Sequence, residues 1–273
     1  MLSSGKTIES ANRSAPVPFG TFPDWDVWRL LEEPRFGLQL WFGLAPNAAG
    51  KEAADKDGLA RACAAVRLAC PVGRVALARD GLGAPVIRAP AAGLHVSLAG
   101  RDGFAVVGLA ERAVGVDAEP VGEPSEPPMD VPWNVLHAGE RAFLQEVADP
   151  AERHLAFLRV WAAKEAVSKA WGVGLRREPA SFEVRLEDDG LGRASIQSDG
   201  PVSASTFPDG EADPGSRPDY SMTGSRIGLR PSGKAGSLET MRGFTVPGAA
   251  LRLGLTGLFE VGGRRYVWAC AVV

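Results

Sequence analysis

At 273 residues, 45% hydrophobic and 23% charged, the chain has the composition of an ordinary globular protein, which excludes collagen-like, wholly disordered and membrane-embedded classes. Thirty Lys and Arg stand against 33 Asp and Glu, a formal charge of -3, so a broad electrostatic grip on nucleic acid is excluded and any anionic ligand must meet a local cluster. The three cysteines, Cys63, Cys70 and Cys270, form no CxxC pair, which argues against a disulfide framework and a structural zinc site and for a reducing compartment. With no leader-like apolar run in residues 1–13 and no window approaching the ~18 apolar residues of a spanning helix, the expectation is a cytoplasmic protein without a membrane partner.

Residues 1–18 are polar and aperiodic and are expected to be a disordered tail. Gly5-Lys6-Thr7 lacks the preceding strand and earlier glycine of a phosphate loop. Residues 38–44 read as a strand, and 53–70 as a helix with Leu59, Cys63, Val66 and Cys70 on one stripe, stopped by Pro71. Short β-like pieces at 75–77, 86–87, 94–97, 104–107 and 114–117 follow between Gly and Pro breaks, implying an antiparallel sheet.

Four prolines in 123–132 mark a loop between two halves. A helical run from 137 carries Phe143, Leu144 and Val147 on one face; a longer helix spans 151–171 and ends at Gly172. Strands are expected at 181–186, 251–260 and 266–273. Between them, 198–236 holds 19 Gly, Pro or Ser among 39 residues, which predicts a disordered insertion, taken to extend over 198–243.

Asp117 and Glu119 stand two apart as a core-like strand, Val114-Gly115-Val116, emerges, so extended geometry projects both carboxylates from one face. Alone the pair reads as surface acids, and Asp209-Gly-Glu211 repeats the pattern inside the insertion. On the long helix, a spacing of four aligns Trp161, Glu165 and Lys169. As plain helix physics this is a Glu–Lys pair worth about 0.2–0.5 kcal/mol beside a core tryptophan. Trp161, however, turns the stripe inward, and ionic groups carried there need a partner. If Glu165 faces Asp117 and Glu119, two carboxylates about 4 Å apart repel by roughly 4 kcal/mol at an effective dielectric near 20, which favours protonation or a divalent cation. All-oxygen ligands select magnesium over zinc, and magnesium keeps positions open for phosphate oxygens. Such a site would bind a phosphoanhydride, with Lys164 or Lys169 on its remaining charge.

Gly115-Val116-Asp117-Ala118-Glu119 followed by Trp161-x-x-Lys164-Glu165-Ala166-x-x-Lys169 resembles the phosphopantetheinyl transferase superfamily, in its surfactin-type group with two similar halves on one chain. Gly83-Ala84-Pro85, His95-Val96-Ser97, Glu140, Gly172-Val173-Gly174-Leu175, Ser181-Phe182 and the final strand at Tyr266 agree more loosely. The resemblance implies an α+β fold of two pseudo-symmetric lobes, 19–112 and 113–273, each a small antiparallel sheet packed on a long helix, with the active site in the cleft between them. It implies a Mg2+-dependent, monomeric transferase that moves phosphopantetheine from coenzyme A to a serine of an acyl or peptidyl carrier protein. Asp117, Glu119 and Glu165 would hold the metal; Lys169 would stabilise pyrophosphate charge; Lys164 would contact a nucleotide phosphate; Arg61 and Ser97 would contact the coenzyme. Glu165, or a carboxylate-bound water, is the base for the serine proton. Ala84 and Leu98 stand where family members commonly carry a Lys and a His that meet coenzyme phosphate, a loss that Arg61, Arg88 or Arg101 would have to offset. Two other readings stay open: a weakened relative that only binds coenzyme A or carrier protein, and another Mg2+-dependent phosphoryl or nucleotidyl transferase.

Overall fold

The fold is described from a computed structural model for residues 25–45, 55–101, 103–122, 130–187, 228–229, 236–261 and 263–273. In the first half, β1 (Asp26–Glu33) and β2 (Leu38–Leu44) pair antiparallel across a turn that closes at Gly37, whose φ of 56° is in the left-handed region open to glycine. Helix α1 (Lys56–Arg67) starts where the Asp55 carboxylate accepts the Gly58 N–H at 2.8 Å. A small hairpin, β3 (Ala76–Arg79) and β4 (Pro85–Ala89), and then β5 (His95–Arg101) and β6 (Phe104–Ala110) complete it. The first sheet has the order β1-β2-β6-β5.

The second half opens with β7 (Val114–Val121), α2 (Ala138–Glu146) and α3 (Pro150–Ala170), and continues through β8 (Arg185–Leu186), β9 (Gly228–Leu229), β10 (Gly236–Thr245), β11 (Leu253–Val261) and β12 (Arg264–Val272). Its sheet has the order β7-β12-β11-β10-β8, with β9 on β10, all antiparallel. Asp149 caps α3 by accepting the Glu152 N–H at 2.8 Å, Pro150 fills its first turn, and Gly172 follows its end at a φ of 69°.

Period-two alternation explains the layering. Leu40 and Phe42 of β2, Phe104 and Val106 of β6, and Tyr266, Trp268 and Cys270 of β12 enter one shared apolar cluster, while Trp41, Ala105 and Val107 turn toward α1, and Val267, Ala269 and Ala271 toward α3. Phe42 stacks on Phe259 at 4.9 Å and Phe104 on Tyr266 at 4.0 Å, so the two sheets are packed face to face, with α1 and α3 on the outer sides. Because both faces are covered, these strands read as nearly unbroken apolar runs. The interface between the sheets is filled with side chains, and β5 and β7 are edge strands of the two sheets.

The α+β class and the antiparallel pairing agree with the sequence, with differences in detail. Strand β1 has no counterpart among the expected elements, and of the strand expected at 181–186 only Arg185–Leu186 is paired; Pro179–Ser181 is a 3-10 turn. Strand β10 occupies 236–245 and so overlaps the end of the insertion predicted over 198–243, because pairing with β11 and β8 gives this polar, Gly-containing segment hydrogen-bond partners that composition does not register. The expected tail 1–18, most of 198–235 and residues 123–129 lie outside the described residues.

Candidate functional site

Along β7, Val114, Val116 and Ala118 enter the core between the sheets, so Gly115, Asp117 and Glu119 turn to the side covered by α3. Gly115 has no side chain to hold α3 off: a Cβ there would overlap the Ala166 carbonyl oxygen and lie 2.5 Å from the Ala170 nitrogen. That close approach brings the Glu165–Lys169 stripe of α3 against the acids of β7.

Asp117 is 6% exposed. Its Oδ1 accepts from Lys169 Nζ at 2.7 Å, and the same ammonium donates to the Val116 carbonyl at 3.0 Å. Asp117 Oδ2 is buried without a hydrogen-bond partner among the described residues. Glu119 accepts the Trp161 indole N–H, and its Oε2 lies 3.9 Å from the guanidinium of Arg101, which is 63% exposed. Burial raises the Glu119 carboxyl above the ordinary glutamate range, and the Asp117 charge adds to the rise; Arg101, Trp161 and Lys169 oppose it. Glu165 is raised in the same way, first by burial and also by Asp117, against Lys169. All three acids are thus coupled through Asp117 and Lys169. Among the described residues no three His, Cys, Asp or Glu groups stand together as a ready-made set of metal ligands.

The other residues expected at the site are placed differently. Lys164 is 1% exposed and points away from this cluster into a closed one: its ammonium meets Glu140 Oε1 at 2.8 Å and the carbonyls of Pro179 at 2.7 Å and Phe182 at 2.5 Å, with the Phe182 ring 4.3 Å away. With three acceptors at three N–H donors, no donor is left for a nucleotide phosphate, and that expected role is corrected to an internal tie between α2, α3 and the 179–182 turn. Glu140 completes the tie by accepting the N–H groups of His137 at 2.8 Å and Val184 at 2.7 Å. Burial pushes the Glu140 carboxyl up and the Lys164 ammonium down, against their mutual attraction.

Ser97, on β5, is buried and its Oγ accepts the Val116 N–H at 3.0 Å, which joins the edges of the two sheets one residue from Asp117. Arg61 lies on α1, paired with Asp55 at 3.2 Å. Arg88 is on β4 and exposed. Of the three arginines named as replacements for the absent Lys and His, Arg101 is the one recorded beside an acid of the cluster. Sequence reasoning missed two groups, the indole donor on Glu119 and the Val116 carbonyl under Lys169. The i,i+4 stripe from Trp161 to Lys169 carried a signal for the first; the second is a backbone group and left none.

A sequence model of the 4'-phosphopantetheinyl transferase superfamily matches residues 113–222. The chain is also 30% identical over 128 residues to the 4'-phosphopantetheinyl transferase psf-1 of Bacillus pumilus, an overlap of 45% of this chain and 50% of that protein. The chain therefore spans about half the length of the curated relative it matches. Residues 113–222, which carry both acidic motifs, are thus similar to the 4'-phosphopantetheinyl transferase superfamily.

Proposed function

We propose that the protein transfers the phosphopantetheine of coenzyme A to a serine hydroxyl of an acyl or peptidyl carrier protein, with Mg2+ held by Asp117, Glu119 and Glu165. The observation that carries the reading is the coupling of one buried acid, Asp117, and two half-buried ones, Glu119 and Glu165, from β7 and α3, around the ammonium of Lys169, within the stretch that matches the superfamily. The donor set suits a hard cation: every candidate ligand is a carboxylate, Asp117 Oδ2 is buried and bare, and Glu119 and Glu165 are each disfavoured in their charged form. A bound Mg2+ would supply charge neutralisation at the pyrophosphate.

The remaining chemistry falls to the chain. The serine oxygen forms a bond to the phosphorus that carries pantetheine; the bond from that phosphorus to the bridging oxygen breaks, and adenosine bisphosphate leaves with the bond's electrons. The serine proton goes to Glu165 or to a water held by these carboxylates. Lys169 offsets negative charge on the departing phosphate. We further propose that residues 19–112 and 113–273 are pseudo-symmetric lobes, that the substrate lies where edge strands β5 and β7 adjoin, and that the protein acts as a cytoplasmic monomer. In support, each sheet is antiparallel with a helix on its outer side, and no helix among the described residues is long and apolar enough to cross a membrane.

A second reading, binding of coenzyme A or carrier without transfer, is favoured by one feature: Ala84, Leu98 and the internally paired Lys164 leave three expected phosphate contacts unfilled. Incubation with coenzyme A, Mg2+ and an apo carrier protein separates the two. A carrier heavier by one phosphopantetheine supports transfer; calorimetric binding of coenzyme A with no mass gain on any of several carriers supports the second reading and rejects the first.

A further inference from the structure

We infer that Lys169 is a displaceable counter-ion, competing with the divalent cation for Asp117, so that the metal is held firmly only when a phosphate anion arrives to receive the ammonium. The inference rests on the proposed metal role of the three acids. It starts from the contrast between two lysines of one helix. Lys164 is 1% exposed and fixed by a carboxylate and two carbonyls. The Lys169 side chain is 30% exposed, and its recorded partners are one carboxylate oxygen, at 2.7 Å, and one carbonyl, at 3.0 Å. Its four-carbon stem allows the ammonium to swing off Asp117 without any movement of α3.

The second observation is how Asp117 is shared. Oδ1 is taken by Lys169 while Oδ2 is buried and bare, so a cation drawn to Oδ2 would sit across one carboxylate from a positive charge. Lys169 also offsets the charge of Glu119 and Glu165, which makes it the common counter-charge of the cluster. Two cations neutralising the same acids in a partly buried site oppose each other's binding. Arg101 offers no equivalent at Asp117, since its recorded contact is with Glu119 at 3.9 Å. An arriving phosphate relieves the conflict by accepting the ammonium, which makes metal and anionic substrate each strengthen the other.

The test is equilibrium dialysis of Mn2+, as a probe for Mg2+, against the full chain with and without inorganic pyrophosphate, for wild type, Lys169→Met and Asp117→Asn. Without pyrophosphate, Lys169→Met is expected to bind Mn2+ about ten- to a hundred-fold more tightly than wild type, the range of one charged hydrogen bond. Pyrophosphate should tighten protein-bound Mn2+ more in wild type than in Lys169→Met. Equal or weaker Mn2+ binding by Lys169→Met, with binding abolished by Asp117→Asn, would overturn the inference and leave the metal reading standing. Absence of Mn2+ binding in all three proteins, even with pyrophosphate, would overturn both. If circular dichroism shows Lys169→Met unfolded, Lys169→Gln, which retains an N–H donor for the Val116 carbonyl, takes its place in the same comparison.

Discussion

Lys164 and Lys169 belong to one motif, yet their surroundings assign them different tasks. The alternation of β7 and the four-residue spacing of α3 made the facing of Asp117, Glu119, Glu165 and Lys169 legible in the sequence, because each depends on the geometry of a single element. The partners of Lys164 were not legible: Glu140 comes from another helix and the two carbonyls from a turn beyond α3, and tertiary packing alone joins them. Removal of the lysine would strand a buried carboxylate. Lys164→Met is expected to destabilise the protein by about 3–5 kcal/mol, and the double variant Lys164→Met/Glu140→Gln by less than the sum of the single changes. Urea denaturation checks both; a loss under about 1 kcal/mol for Lys164→Met would contradict the internal-tie role.

At the scale of elements, the site depends on how closely α3 can lie on β7. Gly115 sets that distance, since a methyl group there would meet the Ala166 carbonyl. Gly115→Ala is therefore expected to destabilise by about 1–3 kcal/mol, the usual cost of an overpacked interior, and to lower transfer as the acids of β7 and α3 separate. Gly73→Ala, where a Cβ meets nothing within 4 Å, serves as the control in parallel urea and transfer measurements. Equal stability and activity for the two variants would contradict the close-approach argument. The elements that sequence reasoning found best, such as α3 and β12, have strong apolar patterns or clear capping and stop residues. Strand β1 carries acids and an arginine through its length, and β10 begins in a Gly- and Ser-containing stretch; both are strands because neighbouring strands pair with them.

Over the whole molecule, the two sheets share one apolar core, and Ser97 fastens the edge strand of one sheet to that of the other beside Asp117. The face-to-face packing was not legible, because an apolar run buried on both sides looks the same whichever layer covers it. The cluster of acids was legible as a possibility, and the fold turns it into an arrangement in which one residue, Asp117, couples to Glu119, Glu165 and Lys169. If these acids serve a single ion, they act as a unit and their losses do not add. The most direct measurement is the single-turnover rate of phosphopantetheine transfer to a carrier protein for Asp117→Asn, Glu119→Gln and Glu165→Gln, singly and combined, in variants whose circular dichroism matches wild type. The account predicts that the triple variant is no slower than the slowest single variant, within about threefold. Losses that multiply through to the triple variant, or full activity in any one of the single variants, would contradict it.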